Sequence, residues 1–330
     1  MATLDSRHVE PGNTLLDRPI QNWPDAWAGL RNLHETSPAD AIVRVPFEAG
    51  GSMQVIDAMS LLRLAGFDPV VCEGGLITAR RLEVITRPLS TSVVVPCRDE
   101  IGNVDALIRR LPRLGTSTEL IFVDGASCDG TPERIEELIG ARDDINVRLI
   151  RQEKAAGKAS AVFEGFDAAT GDILIILDAD MTVAPEDLER FYLALAEART
   201  RFANGTRFAF TMAAAAMPRA NMFGNRAFSR ILSWLLDTEI TDTLCGTKAL
   251  LRADWLRLRA IRHLFGRHDP WGDFDLLVGA RYIGLDILDV PILYGARTSG
   301  VSKMHPFRDG WVLCRTCLTA LALLRLRPAT

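Results

Sequence analysis

The chain has 330 residues, of which 48% are hydrophobic and 24% charged, a balance typical of globular proteins. This length predicts one large domain with appendages, or two domains. The formal net charge of −4 argues against a general nucleic-acid-binding protein, because such proteins are usually basic. The six cysteines show no paired framework and no secretory signal is recognisable, so we expect a reducing, cytoplasmic environment.

The N-terminal quarter of the chain predicts little regular structure. Residues 1–40 are polar and interrupted by prolines. Helical spacing of apolar residues over 55–62 then ends at Gly66, and two short strand-like stretches follow, at 69–71 and 82–85. A helix and two strands are too few for an independent core. We therefore expect a small, partly irregular α+β appendage over residues 1–88 that packs on the main domain.

From Thr91 onward, strand-like apolar runs alternate with amphipathic helical patterns. Right-handed βαβ crossovers join parallel strands, so this alternation predicts an α/β domain with a mostly parallel sheet covered by helices. We assign this Rossmann-like domain to residues 89–305 and an amphipathic C-terminal helix to 306–330. The strand-like runs are 92–96, 119–124, 147–150 and 173–177.

Polar side chains follow three of the predicted strands. The run 173–177 stops at Asp178 and Asp180, and the earlier strands end at 97–100 and at Asp124. In an open parallel sheet, ligands bind beyond the carboxyl ends of the strands. Carboxylate oxygens suit Mg²⁺ or Mn²⁺, which complete their coordination with water and substrate phosphates. We therefore expect a divalent cation at Asp178 and Asp180, the alternative being a charged loop without a ligand.

The tail from Trp311 to Leu326 is the longest apolar stretch, but it is shorter than the ~20 residues that a membrane span needs. Two interpretations stay open: a helix in the membrane interface with Trp311 and arginines as anchors, or a final helix packed on the domain. Cys314 and Cys317 form a C-x-x-C without further ligands, which favours a shared helix face over a metal site.

Three motifs together resemble the family 2 glycosyltransferases of the GT-A fold. Residues 93–100 (VVVPCRDE) resemble their opening strand, 123–131 (VDGASCDGT) their second nucleotide-binding loop, and 178–180 their metal-binding D-x-D motif. Later stretches are similar to the branch related to dolichyl-phosphate mannose synthases, in particular to bacterial members fused behind methyltransferase domains. These stretches are 204–207 (NGTR), 242–248 (DTLCGTK) and 271–275 (WGDFD). On this basis residues 1–88 are interpreted as a methyltransferase remnant.

The resemblance implies transfer of a hexose from a UDP- or GDP-sugar with inversion at the anomeric carbon. Asp180, helped by Asp178, would hold Mg²⁺ or Mn²⁺ at the diphosphate, where a cation stabilises the charge of the leaving group. Lys158, which we place in a glycine-containing loop, would add positive charge there, unless it is an ordinary solvated lysine. The residues implied in nucleotide binding are Pro96, Cys97, Glu100, Asp124 and Asp178.

The acceptor stays open at this stage. A polyprenyl phosphate is already an anionic nucleophile and needs only binding, for which arginines supply forked donors. Arg207 matches the position that the mannose synthases use, and Arg226 is a second candidate on a predicted helix. A late loop that closes over the phosphates is implied by the resemblance, with Arg297, Ser302 and Lys303 as its contacts.

A hydroxyl acceptor would instead require a general base. Asp273 and Asp275 are the carboxylates available in the matching motif, with Asp273 preferred, and their alternative role is to cap the following helix. We predict transfer to a polyprenyl phosphate at the cytoplasmic membrane face, with peripheral membrane contact through 306–330. There are two alternatives, a soluble hydroxyl acceptor and a nucleotide-sugar-binding module without catalysis. A pure binding module would gain nothing from Lys158 and the late basic loop, which would hold the leaving group.

Overall fold

The computed structural model describes residues 13–15, 25–47, 55–208, 219–265, 269–295 and 306–326. Within these ranges no helix combines the length and the apolar character needed to cross a bilayer. The described residues form two sheets, a small one near the N-terminus and a large one that carries the rest of the chain.

The small sheet and its two helices form the N-terminal unit. Its sheet has the order β1-β2-β4-β3, in which β1 and β2 are parallel and the other pairs antiparallel. Leu30 and Leu33 of α1 and Leu61 of α2 are buried against this sheet in a core of their own. The elements are β1 (Asn13–Leu15), α1 (Asp25–Thr36), β2 (Ile42–Pro46), α2 (Val55–Leu64), β3 (Phe67–Glu73) and β4 (Leu76–Arg81).

Two expectations for this unit were wrong. The helix α1 lies in the stretch that was expected to be irregular, because three apolar residues at helical spacing, Ala26, Leu30 and Leu33, suffice to bury one face among many polar residues. The predicted strand at 82–85 is not formed. Strand β4, which ends just before it, pairs with β2 and β3 instead, and Ile85 is left 77% exposed.

The large sheet has seven strands in the order β11-β9-β10-β8-β5-β6-β7. All neighbouring pairs are parallel except the two that involve β10. The predicted α/β class with a mostly parallel sheet is thereby confirmed. The strands are β5 (Thr91–Cys97), β6 (Thr118–Asp124), β7 (Ile145–Arg151), β8 (Ile173–Ile176), β9 (Phe202–Thr206), β10 (Lys248–Leu251) and β11 (Ile287–Pro291).

Helices cover both faces of the large sheet. Successive strand residues point to opposite faces, so Val93 and Val95 lie in one apolar cluster with α3 and α6, whereas Val94 lies in another with α5, α8 and α9. The helices are α3 (Ile101–Arg110), α4 (Thr131–Leu138), α5 (Lys158–Ala168), α6 (Leu188–Ala196), α7 (Arg219–Leu236), α8 (Arg252–Ile261), α9 (Asp273–Tyr282) and α10 (Pro306–Leu321). A π-helical turn, Ala322–Leu326, extends α10.

The N-terminal unit packs on the edge of the large sheet. Helix α2 contacts β11 and α6. Arg31 of α1 donates a hydrogen bond to the buried Glu197 just after α6, with an N–O distance of 3.2 Å. Arg87, in the segment that joins the two sheets, donates to the carbonyl of Ala196 at 3.1 Å. The unit is therefore held by both apolar and charged contacts.

One glycine of the large domain and one of the N-terminal unit test how tightly their helices are packed. Gly165 of α5 lies so close to β5 that a methyl group would overlap Val94 and approach Val123 Cγ2 to 3.1 Å. We expect Gly165→Ala to lower the free energy of unfolding by about 1–3 kcal/mol, the usual cost of overpacking. Gly29 of α1 has open space around its Cα, so Gly29→Ala should instead stabilise by up to ~1 kcal/mol through its helix propensity. Urea unfolding of both variants decides, and equal stability of Gly165→Ala and the wild type would contradict this packing.

Candidate active site

The site lies at the carboxyl edge of the three adjacent strands β8, β5 and β6. Strand β8 ends at Ile176, and Asp178 and Asp180 follow within four residues. In β5 and β6, Cys97 and Asp124 are directly paired in the parallel register. The structure therefore brings the polar ends of the predicted strands to one edge, as the parallel topology requires.

Lys158 is held by Asp178. Its Nζ lies 2.6 Å from Asp178 Oδ1, and both side chains are about a quarter exposed. Lys158 is the first residue of α5 rather than part of the preceding loop. Burial acts to lower the pKa of its ammonium, but the carboxylates of Asp178 and Asp273 outweigh burial and raise that pKa above its ordinary value. A permanent cation thus lies next to the D-x-D motif.

Asp180 is oriented by a local turn. Its Oδ1 accepts hydrogen bonds from the backbone N–H of Thr182 at 3.1 Å and from Thr182 Oγ1 at 2.7 Å. Met181 between them has a positive φ of 58°. In the described ranges, no group of three or more His, Cys, Asp or Glu side chains is arranged as a metal site. Two carboxylates fit a divalent cation that takes its remaining ligands from water and substrate phosphates.

The loops after β5 and β6 are joined into one wall. Asp124 is buried, and its carboxylate accepts hydrogen bonds from the Ser127 N–H at 3.1 Å and from the Ser127 hydroxyl. The N–H of Gly125 donates to the carbonyl of Cys97 at 2.9 Å. Burial, together with Asp124 and Glu100, raises the pKa of the Cys97 thiol well above its ordinary value. Cys97 therefore remains a neutral thiol at this wall.

Glu100 lies at the N-terminus of α3 and is tied to both loops. Its N–H donates to Thr131 Oγ1 at 2.9 Å, and its Oε2 accepts from Asn103 Nδ2 at 2.8 Å. Two aspartates that the sequence analysis did not single out complete the wall. Asp99 accepts from the Cys128 N–H at 2.9 Å, and Asp129 accepts from the Ile101 N–H at 3.2 Å. Their reciprocal bonds cross-link the loops at 97–101 and 125–131.

The loop 242–247 covers the Lys158–Asp178 pair. Gly246 lies so close that a Cβ there would overlap both Asp178 Oδ2 and Lys158 Nζ. Lys248, at the start of β10, is completely buried. Its Nζ donates to the Cys245 carbonyl and to Asp273 Oδ1, the latter at 3.1 Å. A buried ammonium therefore joins this loop to the first turn of α9.

Arg207 is the second buried cation that holds this loop. Its Nε and Nη2 donate to the two carboxylate oxygens of Asp242 at 2.6 and 2.8 Å, in a forked pair. The guanidinium also lies 5.1 Å from the ring centroid of Tyr294. Arg207 is only 9% exposed. In this structure it positions the loop, and its part in acceptor binding stays a prediction.

Asp269 caps α9, a role that we had assigned as the alternative for Asp273 and Asp275. Its Oδ2 accepts from the N–H groups of Phe274 at 2.8 Å and Asp275 at 3.2 Å. The Asp-Pro-Trp-Gly stretch before the helix is the turn signal that could have identified it. Asp273 bonds to Lys248, whereas Asp275 is influenced by Asp269 and Arg262. The two predicted candidates for a base thus lie in different electrostatic environments.

Four predicted acceptor contacts cannot be placed as side chains. Arg226 lies in α7, but its side chain is not among those described. Arg297, Ser302 and Lys303 lie outside the described residues. Helix α7 itself contacts the covering loop, because Asn225 Oδ1 accepts a hydrogen bond from Thr243 Oγ1 at 3.1 Å.

Comparison with known proteins yields both a family and a fold. Residues 92–259 match the model of Glycosyl transferase family 2. The dolichol-phosphate mannosyltransferase of Mycosarcoma maydis is 30% identical over 73% of this chain and 81% of its own length. The polyprenol monophosphomannose synthase of Mycolicibacterium smegmatis is 28% identical over 65% of this chain and 80% of its own. For the dolichol-phosphate mannosyltransferase of Saccharomyces cerevisiae, 38% identity extends over 36% of this chain and 45% of that relative, less than half its length.

Two solved structures support the fold alone. Mannosyl-3-phosphoglycerate synthase from Rubrobacter xylanophilus has a TM-score of 0.52 at 17% identity, covering 73% of this chain and 77% of that one. Glucosyl-3-phosphoglycerate synthase from Mycobacterium tuberculosis, solved with Mn²⁺, UDP and glucosyl-3-phosphoglycerate, has a TM-score of 0.50 at 20% identity, covering 73% and 82%. The likeness confirms the predicted GT-A arrangement of the sheet.

Gly246 provides a test of the covering loop. Gly246→Ala should push the loop away from the Lys158–Asp178 pair and reduce turnover of a nucleotide-sugar donor by roughly 100-fold, the order expected for a displacement of about 1 Å. The control is Gly295→Ala, whose Cβ would lie 3.8 Å from the Thr182 carbonyl, an ordinary contact. Equal turnover by both variants would show that the close approach at Gly246 is not required.

Asp275 provides a test of site electrostatics. Burial and the neighbouring Asp269 raise its pKa to about 7. A carboxyl with a raised pKa binds its proton more tightly when folded, so its contribution to stability is full below its ordinary pKa and is lost as the pH rises through about 7. The free energy of unfolding of Asp275→Asn, measured in urea relative to that of the wild type, should therefore be higher at about pH 8 than at about pH 5.

The control for that test is Asp172→Asn. The hydrogen bonds from Ser90 lower the pKa of Asp172, so its stabilisation is complete above its ordinary range. Its replacement should change the free energy of unfolding equally at the two pH values. A pH-independent effect of Asp275→Asn as well would contradict the raised pKa.

Proposed function

The chain belongs to glycosyl transferase family 2 and is a glycosyltransferase, and we propose that it transfers a hexose from a UDP- or GDP-sugar to a polyprenyl phosphate. The relatives named above act on dolichol phosphate or polyprenol phosphate by their names. The observation that carries the proposal is the pairing of Lys158 with Asp178 beside Asp180 at the sheet edge. The two carboxylates would hold a divalent cation against the diphosphate, and the neighbouring ammonium adds positive charge that stabilises the diphosphate on departure.

Donor binding is assigned to the wall formed by the loops after β5 and β6. Asp124 and Glu100 would hold the ribose and the base, with Pro96 and Cys97 forming the adjacent surface. Asp178 and Asp180 would hold Mg²⁺ or Mn²⁺, which supplies Lewis-acid stabilisation of the diphosphate. Lys158, already cationic at the start of α5, would contribute its ammonium to the same leaving group. Inversion follows if the acceptor oxygen attacks the anomeric carbon from the side opposite the diphosphate.

Acceptor binding is assigned to four basic residues and one serine. A phosphate acceptor carries its own negative charge, so the chain needs to position it rather than deprotonate it. Arg207, Arg226, Arg297, Ser302 and Lys303 are the proposed contacts. Support comes from Arg207, whose guanidinium is held rigidly between Asp242 and Tyr294 next to the loop. The enzyme would act at the cytoplasmic membrane face, with residues 306–330 in peripheral contact.

A hydroxyl acceptor is the second candidate, and one observation favours it. Asp275 has a pKa of about 7, which suits a general base near neutral pH. The two acceptors predict different behaviour. With a hydroxyl acceptor, activity should fall as Asp275 becomes protonated below about pH 7 and should be lost in Asp275→Asn. With a phosphate acceptor, neither the protonation of Asp275 nor the substitution should limit the rate.

The deciding experiment is turnover of UDP- and GDP-sugars by the full chain with Mn²⁺ or Mg²⁺, with and without undecaprenyl phosphate. We expect nucleotide release that requires the cation and increases with the lipid phosphate. Asp180→Asn and Lys158→Met should each reduce it by about 100-fold or more, because each removes charge stabilisation of the leaving group. The control is Asp68→Asn, which disrupts only a surface ion pair with Arg80.

Each other outcome of this assay contradicts a stated part of the proposal. Release that ignores the lipid phosphate but needs Asp180 would refute the polyprenyl acceptor and favour a hydroxyl. Nucleotide binding without release under any condition would leave a binding module without catalysis.

A further inference from the structure

We propose that α7 and α10 together form a docking face for an anionic membrane surface. This docking face consists of the exposed residues Ala227, Arg230, Ile231 and Trp234 of α7, with Trp311, Cys314, Arg315, Leu318, Ala322 and Arg325 of α10 and its π-helical extension. It deepens the proposed function, because a lipid-borne acceptor requires approach to a bilayer. The sequence alone points only to the C-terminal tail as a membrane contact, whereas this face also includes α7.

The inner face of α10 is packed against the domain. Leu313, Cys317, Ala320 and Leu323 lie in the apolar cluster that also contains Leu232 and Leu235 of α7. One of the two earlier interpretations, a helix packed on the domain, therefore describes this inner face. The outer face is free of that packing, so burial in the protein does not explain its apolar residues.

The outer face of both helices carries large apolar side chains. Trp311 is 68% exposed, Leu318 66%, Trp234 61% and Ile231 45%. On α7 the exposed positions recur at i, i+3, i+4 and i+7, and the same spacing recurs from Trp311 to Leu318 on α10. Tryptophan, with an apolar ring and a polar N–H, is the residue favoured at the boundary between lipid and water.

The two stripes meet at Arg325. This arginine donates hydrogen bonds to the carbonyl of Trp234 and to Asp237 Oδ1, the latter at 2.5 Å. Its guanidinium also lies 5.3 Å from the ring centroid of Trp234. The contact makes the exposed residues of α7 continuous with the end of the α10 stripe. From Trp311 to Arg325 the helix is about 21 Å long at ~1.5 Å per residue, long enough for a flat contact.

The charge of this face indicates that its partner is an anionic lipid surface. The ten residues of the docking face include three arginines, Arg230, Arg315 and Arg325, and no Asp or Glu, although the whole chain has a net charge of −4. Arg325 is paired with Asp237, so Arg230 and Arg315 are the two that would meet the lipid headgroups. A basic, tryptophan-bearing helix face complements anionic lipid headgroups, each exposed arginine adding about 1 kcal/mol of attraction, or roughly fivefold in affinity. Helix α7 contacts the covering loop through Asn225 and Thr243. Docking by this face would thus bring α7, and the covering loop that it contacts, close to the bilayer.

The test is binding of the full chain to vesicles of phosphatidylcholine with and without phosphatidylglycerol, at low and high salt. We expect binding that requires phosphatidylglycerol and weakens with salt. The double variant Trp234→Ser/Trp311→Ser should bind at least roughly tenfold more weakly. Arg230→Gln and Arg315→Gln should each weaken binding roughly fivefold. The matched control is Val70→Ser/Ile85→Ser, which removes apolar side chains of similar exposure, 61% and 77%, from the N-terminal unit.

Fluorescence gives a second readout that a folding defect cannot imitate. Lipids with brominated acyl chains should quench the tryptophan emission of the wild type, and Trp234→Phe/Trp311→Phe should lose most of the quenching while keeping its circular dichroism spectrum. Equal vesicle binding by the wild type and Trp234→Ser/Trp311→Ser would overturn the proposal. So would a wild type that dimerises in ultracentrifugation when the tryptophan variants do not, since a second copy would then cover this face.

The docking face and the proposed function can fail separately. Vesicle binding uses no donor and no acceptor, so it is measured whether or not transfer occurs. Turnover with a short-chain, water-soluble isoprenyl phosphate should be the same in the wild type and in Trp234→Ser/Trp311→Ser. Vesicle binding without turnover would refute the proposed function and leave the docking face standing. Turnover without vesicle binding would refute the docking face alone.

Discussion

The ion pair between Lys158 and Asp178 lies where four segments of the chain meet. Asp178 follows β8, Lys158 begins α5, Gly246 lies directly against both side chains, and the N–H of Ala159 donates to the Pro270 carbonyl at 3.1 Å. A partly buried charge is costly unless it is paired. The pairing therefore constrains the end of the sheet, the start of one helix, the covering loop and the approach to α9 at the same time.

Two further ion pairs extend this constraint away from β8. Lys248 joins the covering loop to Asp273, and Arg207 holds its first residue, Asp242, by a forked pair. Breaking one partner of a buried pair leaves an uncompensated charge, so these contacts are expected to be rigid. Rigid charges that need no rearrangement are what the stabilisation of a leaving diphosphate requires. The same loop contacts α7, which connects the site to the proposed docking face.

The sequence predicted those elements of the fold that a local run of apolar residues marks as buried. Strands β5, β6 and β8 contain continuous apolar runs, and β7 contains a shorter one that Arg148 interrupts. Their parallel order placed the carboxylates at one edge. Strand β9, with the sequence FANGT, has little β propensity, and β10 begins with a lysine. Both are strands because they pair with each other and β10 pairs with β8, a long-range effect that local pattern does not carry.

The parts of the site that the sequence did not predict also depend on long-range contacts. Asp178 and Asp180 were found because two carboxylates at a strand end form a local signal. The partner of Arg207 lies 35 residues away in the chain, and the partner of Lys248 lies 25 residues away. The quoted motifs contain all four residues, but no local pattern shows which of them are paired. Asp269 was missed because its hydrogen bonds to α9 become visible only when the turn before the helix is known.

We propose that Asp178 and Asp180 hold a divalent cation against a nucleoside diphosphate. The most direct measurement is calorimetric titration of UDP and GDP into the full chain, with and without Mn²⁺, for the wild type and for Asp180→Asn. We expect Mn²⁺ to tighten the binding of one of the two nucleotides to the wild type. The substitution should remove this gain and leave metal-free binding unchanged. Equal enhancement by Mn²⁺ in both proteins would contradict this proposal.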